Sequence, residues 1–262
     1  MERTSGIAAV NGTELYYELQ GSGPVVTLLH GFSLDRRMWD EQFDIFAREF
    51  RVLRYDFRGF GRSGAAHPEP YSAAEDLRAL LDHLDIASTA VVGLSMGGGF
   101  AIDFVLAYPE RATALVAADS ALAGFEWTDG RPSAWHAEIA AAQGVAVAKQ
   151  AWLDCVLFRP AAEQPAVAMA LRRCVDDYSG WHWLNANPLI VPSRPAIDRL
   201  GEIPCPSLII VGERDEADFQ TVAKRLAQDI PRAELVRLPG AGHMSNMEAP
   251  DAFNDAVLRF LR

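Results

Sequence analysis

The 262-residue sequence predicts an α/β fold built on a mostly parallel sheet, with a helical cap inserted late in the chain. Three observations predict it. Short apolar strand segments alternate with helical segments, the pattern of parallel βαβ units. Residues 121–195 interrupt that alternation with short helices and no apolar strand, so they separate a core (1–120 and 196–262) from a cap (121–195). One strand, Thr89 to Val92, runs into Gly93-Leu94-Ser95-Met96-Gly97, a serine on a sharp strand-to-helix turn.

In chain order, Ile7 to Leu19 reads as a hairpin whose two-residue turn is Asn11-Gly12. After the break at Gly21-Ser22-Gly23-Pro24, Val25 to Leu29 is wholly apolar, as a strand buried on both faces requires. A helix is expected around Trp39 to Glu49 and a strand at Arg51 to Tyr55. Ser72 to Leu84 forms an amphipathic helix with Leu77, Leu80, Leu81 and Leu84 on one face, and Ser72 with Glu75 makes a capping box. A helix from Gly97 to Tyr108 leaves the serine turn and stops at Pro109, and Ala114 to Ala118 is another buried strand. In the cap, Ala134 to Ala142, Val145 to Val156 and Gln164 to Tyr178 favour helix. Five of the six tryptophans fall there (Trp127, Trp135, Trp152, Trp181 and Trp183). Cap packing accounts for any one of them, while five above a sheet edge point to an apolar pocket. Ser207 to Val211 and Ala233 to Leu238 resume the sheet, with helices at Phe219 to Asp229 and Pro250 to Leu261.

Composition narrows the function. The net charge of −11 repels phosphate backbones and anionic lipid, so neither nucleic acid nor a membrane surface is an expected partner. No apolar run approaches the roughly 18 residues that span a bilayer, and the N-terminus has no signal-peptide core. Cys155, Cys174 and Cys205 lack metal-like spacing and read as reduced thiols, which fits a cytoplasmic protein. A monomer or small homo-oligomer is the expected assembly.

The serine turn has a chemical meaning. Glycines at positions 93 and 97 leave room across a tight, positive-φ turn, and the serine sits at a helix N-terminus, where negative charge is favoured. An incidental serine in a glycine-rich turn would look the same, so its partners decide. A hydroxyl needs an adjacent base. Of six histidines, His243 lies in a glycine-rich loop just after a predicted strand, where a well-aimed imidazole belongs. His83 and His67 read as solvated, His136 and His182 as cap residues, and His30 as structural. The base needs an orienting carboxylate, and Asp215 also follows a buried strand end, flanked by Glu213 and Glu216. Asp119, after the neighbouring strand, competes for the role. Ser95, Asp215 and His243 would meet at the carboxyl edge of one sheet, in hydrolase order. The backbone N–H groups of Phe32 and Met96 are the candidate oxyanion donors.

Together, His30-Gly31-Phe32, Asp56-x-Arg58-Gly59-x-Gly61-x-Ser63, Gly93-x-Ser95-x-Gly97-Gly98, the acid at Asp215 and Gly242-His243 resemble the α/β-hydrolase superfamily over all but the cap. Gly93 to Gly98 is similar to the small carboxylesterases and the 3-oxoadipate enol-lactonase group. The resemblance implies an eight-stranded sheet under a helical cap, and hydrolysis of a small ester or lactone with no cofactor or metal. A serine at the elbow argues against the epoxide-hydrolase and haloalkane-dehalogenase branches, which attack with a carboxylate. An ester hydrolase is the first expectation and an enol-lactonase the second. Carbon–carbon bond hydrolases, perhydrolases and a non-catalytic ligand receptor rank lower. A lactonase with an acidic substrate would want a cap cation, for which Arg131, Arg159, Arg172 and Arg173 are candidates.

Overall fold

Asn11 and Gly12 both adopt positive φ, 46° and 70°, the backbone that lets a two-residue turn follow the twist of its strands. They join β1 (Arg3–Val10) to β2 (Thr13–Gly21) in an antiparallel hairpin. The computed structural model describes residues 3–65, 69–128 and 134–262; His67 and Arg131 lie outside the described residues.

The remaining strands follow in chain order: β3 (Val25–Leu29), β4 (Arg51–Tyr55), β5 (Thr89–Leu94), β6 (Ala112–Ala118), β7 (Ser207–Gly212) and β8 (Ala233–Leu238). They form one eight-stranded sheet in the order β1-β2-β4-β3-β5-β6-β7-β8. β2 pairs antiparallel with β4, and every pair from β4 to β8 is parallel. β5 is buried at every position, as its unbroken apolar run requires in a sheet covered on both faces.

Helices flank this sheet. α1 (Asp40–Phe46) follows a short 3₁₀ turn at Arg36–Trp39 and is shorter than the spacing of apolar residues predicts. Its end is fixed by close packing, since a Cβ on Gly21 would lie 2.2 Å from the Phe50 carbonyl oxygen and 2.6 Å from that of Ala47. α2 (Ala73–His83) is capped by Ser72, which accepts from the Glu75 N–H at 3.4 Å. Only this half of the expected capping box is present. The Glu75 carboxylate instead takes Arg78 and the Tyr108 hydroxyl. α3 (Met96–Ala107) leaves β5.

Between β6 and β7 lie α4 (Ala134–Gln143), α5 (Val145–Leu153), α6 (Arg159–Ala162), α7 (Pro165–Asp177) and α8 (Trp181–Leu184). The described part of this helical insertion contributes no strand to the sheet; its single bridge joins Leu189 to Tyr71. α9 (Ala217–Asp229), α10 (Ser245–Glu248) and α11 (Pro250–Leu261) complete the chain. Among the described residues no helix is long and apolar enough to cross a membrane.

Under the N-terminal edge of the sheet, Glu18 is surrounded by Arg3, Arg36 and Arg54. Burial alone would raise its pKa, but the three guanidiniums outweigh that and hold it at about 2.

Candidate active site

Four segments converge at the carboxyl edge of the sheet because β3, β5, β7 and β8 run parallel and end there. The first is the turn after β5. Ser95 caps α3 at φ 57° and ψ −118°, a conformation that is costly for a residue with a side chain. The surrounding backbone holds it there. Its N–H donates to the Ala118 carbonyl at 2.9 Å, and its own carbonyl accepts from Ala121 and Gly99 at 2.9 and 3.1 Å. A Cβ on Gly93 would lie 2.1 Å from the Gly97 oxygen, while one on Gly97 would lie 2.2 Å from the Leu29 oxygen. Gly97 therefore lies across the turn from Gly93, as the sequence predicts, and also abuts the end of β3.

The second segment follows β3. His30 is fully buried, with Nδ1 2.8 Å from the Gly31 oxygen and Nε2 accepting the Phe57 N–H at 3.0 Å. Burial lowers its pKa, so it is a neutral strut. A Cβ on Gly31 would sit 3.6 Å from the Ser95 Cβ, which measures how closely this loop approaches the serine. The N–H groups of Phe32 and Met96 have no acceptor among the described residues; Met96 is the first residue of α3, where amides have no partner within the helix.

The loops after β7 and β8 bring Asp215 and His243 together. Both side chains are almost wholly buried (0% and 2% exposed). Asp215 Oδ2 and Oδ1 lie 3.0 and 3.1 Å from His243 Nδ1. Asp119 lies behind them, also buried. Its Oδ1 accepts from the Gly212 N–H at 2.8 Å, and its Oδ2 takes the Ser245 hydroxyl. Burial first, and then the charge of Asp215, push its carboxyl well above the ordinary range. Glu213 is exposed, and Glu216 is the residue that precedes α9. Neither carboxylate has a bond to the imidazole among the described residues.

Glu248 is a group that sequence reasoning missed. Its carboxylate accepts the N–H groups of Gly242 and Met244 at 2.6 and 3.0 Å, clamping the peptides on either side of His243. A glutamate five residues beyond a loop histidine is the only trace it leaves in the sequence.

Ser95 and His243 line one cavity of about 400 Å³ beneath the helical insertion. No hydrogen bond links the serine hydroxyl to the imidazole among the described residues, and such contacts commonly tighten only when substrate binds. Three of the cap tryptophans, Trp127, Trp152 and Trp183, line the wall, while Trp135 is half exposed. The Trp152 indole N–H donates to Ser33 Oγ at 2.6 Å, tying α5 to the Phe32 loop. His182 also faces the cavity, stacked on Phe60 with centroids 4.2 Å apart. Burial lowers its pKa to about 4. His136 is instead fully buried against Trp135 and Trp152. Arg159, Arg172 and Arg173 are exposed and outside the wall. Arg58 is the only lysine or arginine lining the cavity among the described residues, and Asp76 matches it at 2.6 Å. No cluster of side chains among the described residues would hold a metal ion.

A strained serine at a helix N-terminus, a carboxylate-paired histidine and two residues whose amides have no acceptor among the described residues thus line one cavity at the edge of a parallel sheet. Residues 24–250 match the family model described as alpha/beta hydrolase fold. The chain belongs to this family, and it is a hydrolase. It is 28% identical to a protein named putative carbamate hydrolase RutD from Caulobacter sp., over 94% of this chain and 95% of that one. Among solved structures it is similar to the enol-lactonase from Burkholderia xenovorans LB400 (31% identity, TM-score 0.83, 98% and 99% of the two chains). A thermophilic esterase from Thermogutta terrifontis matches at 29% identity and TM-score 0.83, over 100% and 98%.

Proposed function

We propose that the chain is a serine hydrolase that cleaves small carboxylic esters through an acyl-enzyme. Ser95 Oγ attacks the ester carbonyl as His243 Nε2 takes its proton. Asp215 holds the other ring nitrogen and stabilises the imidazolium, and the Phe32 and Met96 N–H groups receive the oxyanion. The imidazolium then protonates the leaving alcohol, and water activated by the same ring releases the acid. In this mechanism residues 121–195 act as a cap over the core formed by 1–120 and 196–262. The main support is that Asp215 lies 3.0 Å from Nδ1 of His243, which lines the same cavity as Ser95.

An enol-lactonase is the second candidate, favoured by the 31% identical neighbour of that name. Esters rank first because an anionic lactone needs a free cation, and Arg58 is already matched by Asp76. The three cysteines are free, as a reducing cytoplasm would leave them.

Ser95→Ala tests the proposal. It should keep the wild-type circular dichroism and lose p-nitrophenyl acetate hydrolysis by on the order of 10⁴-fold. Turnover retained in that variant overturns it.

A further inference from the structure

Met96, Gly99, Phe100 and Asp103 recur at helical spacing on one face of α3, and all four line the cavity. Asp103 is the anomaly among them. Its carboxylate accepts no hydrogen bond among the described residues. Its one charged neighbour, Arg199, donates to Glu202 at 2.9 Å and to the Leu106 carbonyl at 3.2 Å. Every other ionisable side chain in the wall has a partner. Arg58 pairs with Asp76, Tyr71 donates to Asn187 at 3.0 Å, His182 faces the Tyr178 hydroxyl at 3.1 Å, and His243 faces Asp215. Asp103 is partly buried, and a carboxyl with no protein donor in the wall of a ligand cavity marks where a ligand supplies one. Burial pushes this carboxyl up to about 6, with Arg199 pulling weakly the other way, as thin solvation predicts.

We propose that Asp103 determines specificity at the end of the substrate remote from the ester, and that the preferred substrates carry a hydrogen-bond donor there, a primary ammonium or a hydroxyl. This rests on Ser95 as the nucleophile. At about 1.5 Å of rise per residue, eight positions of α3 set Asp103 roughly 12 Å from Ser95. Helical side chains lean toward the N-terminus, which shortens that span. A chain of about six carbons ending in the donor bridges it. A carboxylate end would meet like charge, and an alkyl end would leave Asp103 without a partner.

The test compares kcat/KM for three p-nitrophenyl esters of matched length, ω-aminohexanoate, ω-hydroxyhexanoate and heptanoate. The wild-type enzyme should favour a donor-ended ester over heptanoate by on the order of tenfold. Which of the two leads identifies the head group. Asp103→Leu should reverse the order, and the shape-conserving Asp103→Asn should fall between. Ratios within each enzyme cancel any general loss caused by a substitution. Turnover of all three esters at ratios unmoved by either substitution overturns this proposal alone. Turnover of none of them overturns it together with the ester-hydrolase assignment.

Discussion

His243 is held from two directions, and the two carboxylates that hold it work differently. Asp215 touches the ring, whereas Glu248 grips the peptides on either side of it. Asp119 touches neither, since its oxygens are spent on Gly212 and Ser245. Asp215→Asn should therefore lower kcat by roughly 10⁴-fold, the cost of holding the wrong tautomer. Asp119→Asn should cost far less, because it leaves the ring contact intact. Steady-state kinetics of the two variants decide the matter, and a severe loss at Asp119 with a mild one at Asp215 would transfer the orienting role. The sequence carried Ser95, Asp215 and His243 because each follows a strand end marked by glycine or by charge. It could not carry Glu248, Asp103 or Ser33. Ser33 is tied to Trp152 across 119 positions, Asp103 is marked only by the cavity it lines, and Glu248 grips a loop whose shape has no sequence period.

Several strand segments were legible to the residue, most directly β3, whose buried run carries no charge. β3, β4 and β8 span the ranges that their sequence predicts. Helix ends were less legible. α1 stops just before the Ala47 and Phe50 carbonyls on which Gly21 of β2 packs, and Glu75 leaves its capping role for Arg78 and Tyr108. The hairpin edge carries a consequence for stability. Glu18 falls from an ordinary 4.5 to about 2 in the folded chain because Arg3, Arg36 and Arg54 outweigh its burial. A carboxylate whose pKa is depressed by folding contributes stability above its unfolded value, and loses it as pH falls toward the folded one. The urea midpoint should hold above about pH 4.5 and fall between there and about 2. In Glu18→Gln that acid-limb loss should be visibly shallower, and an unchanged limb would count against the cluster.

At the scale of the whole molecule, the sheet positions Ser95, Asp215 and His243, and the helical insertion supplies much of the cavity wall above them. The sheet edge was readable because parallel topology sends every strand end to one place. The cavity was not, because its lining comes from side chains whose facing is set by how the insertion packs. That packing leans on aromatic rings. Phe32 alone lies within 6.1 Å, centroid to centroid, of Trp152, Tyr178, His182 and Trp183. Five tryptophans sit in the insertion, and Trp39, the sixth, is buried in the core against Phe253. The molecule thereby carries its own optical label. In Trp39→Phe, indole emission would arise from the insertion alone, while far-ultraviolet dichroism would still follow the entire backbone. If the insertion loosens before the sheet, the emission of that variant should shift to longer wavelength at a lower urea concentration than the dichroism changes. Superimposed curves would mean that lid and sheet melt as one.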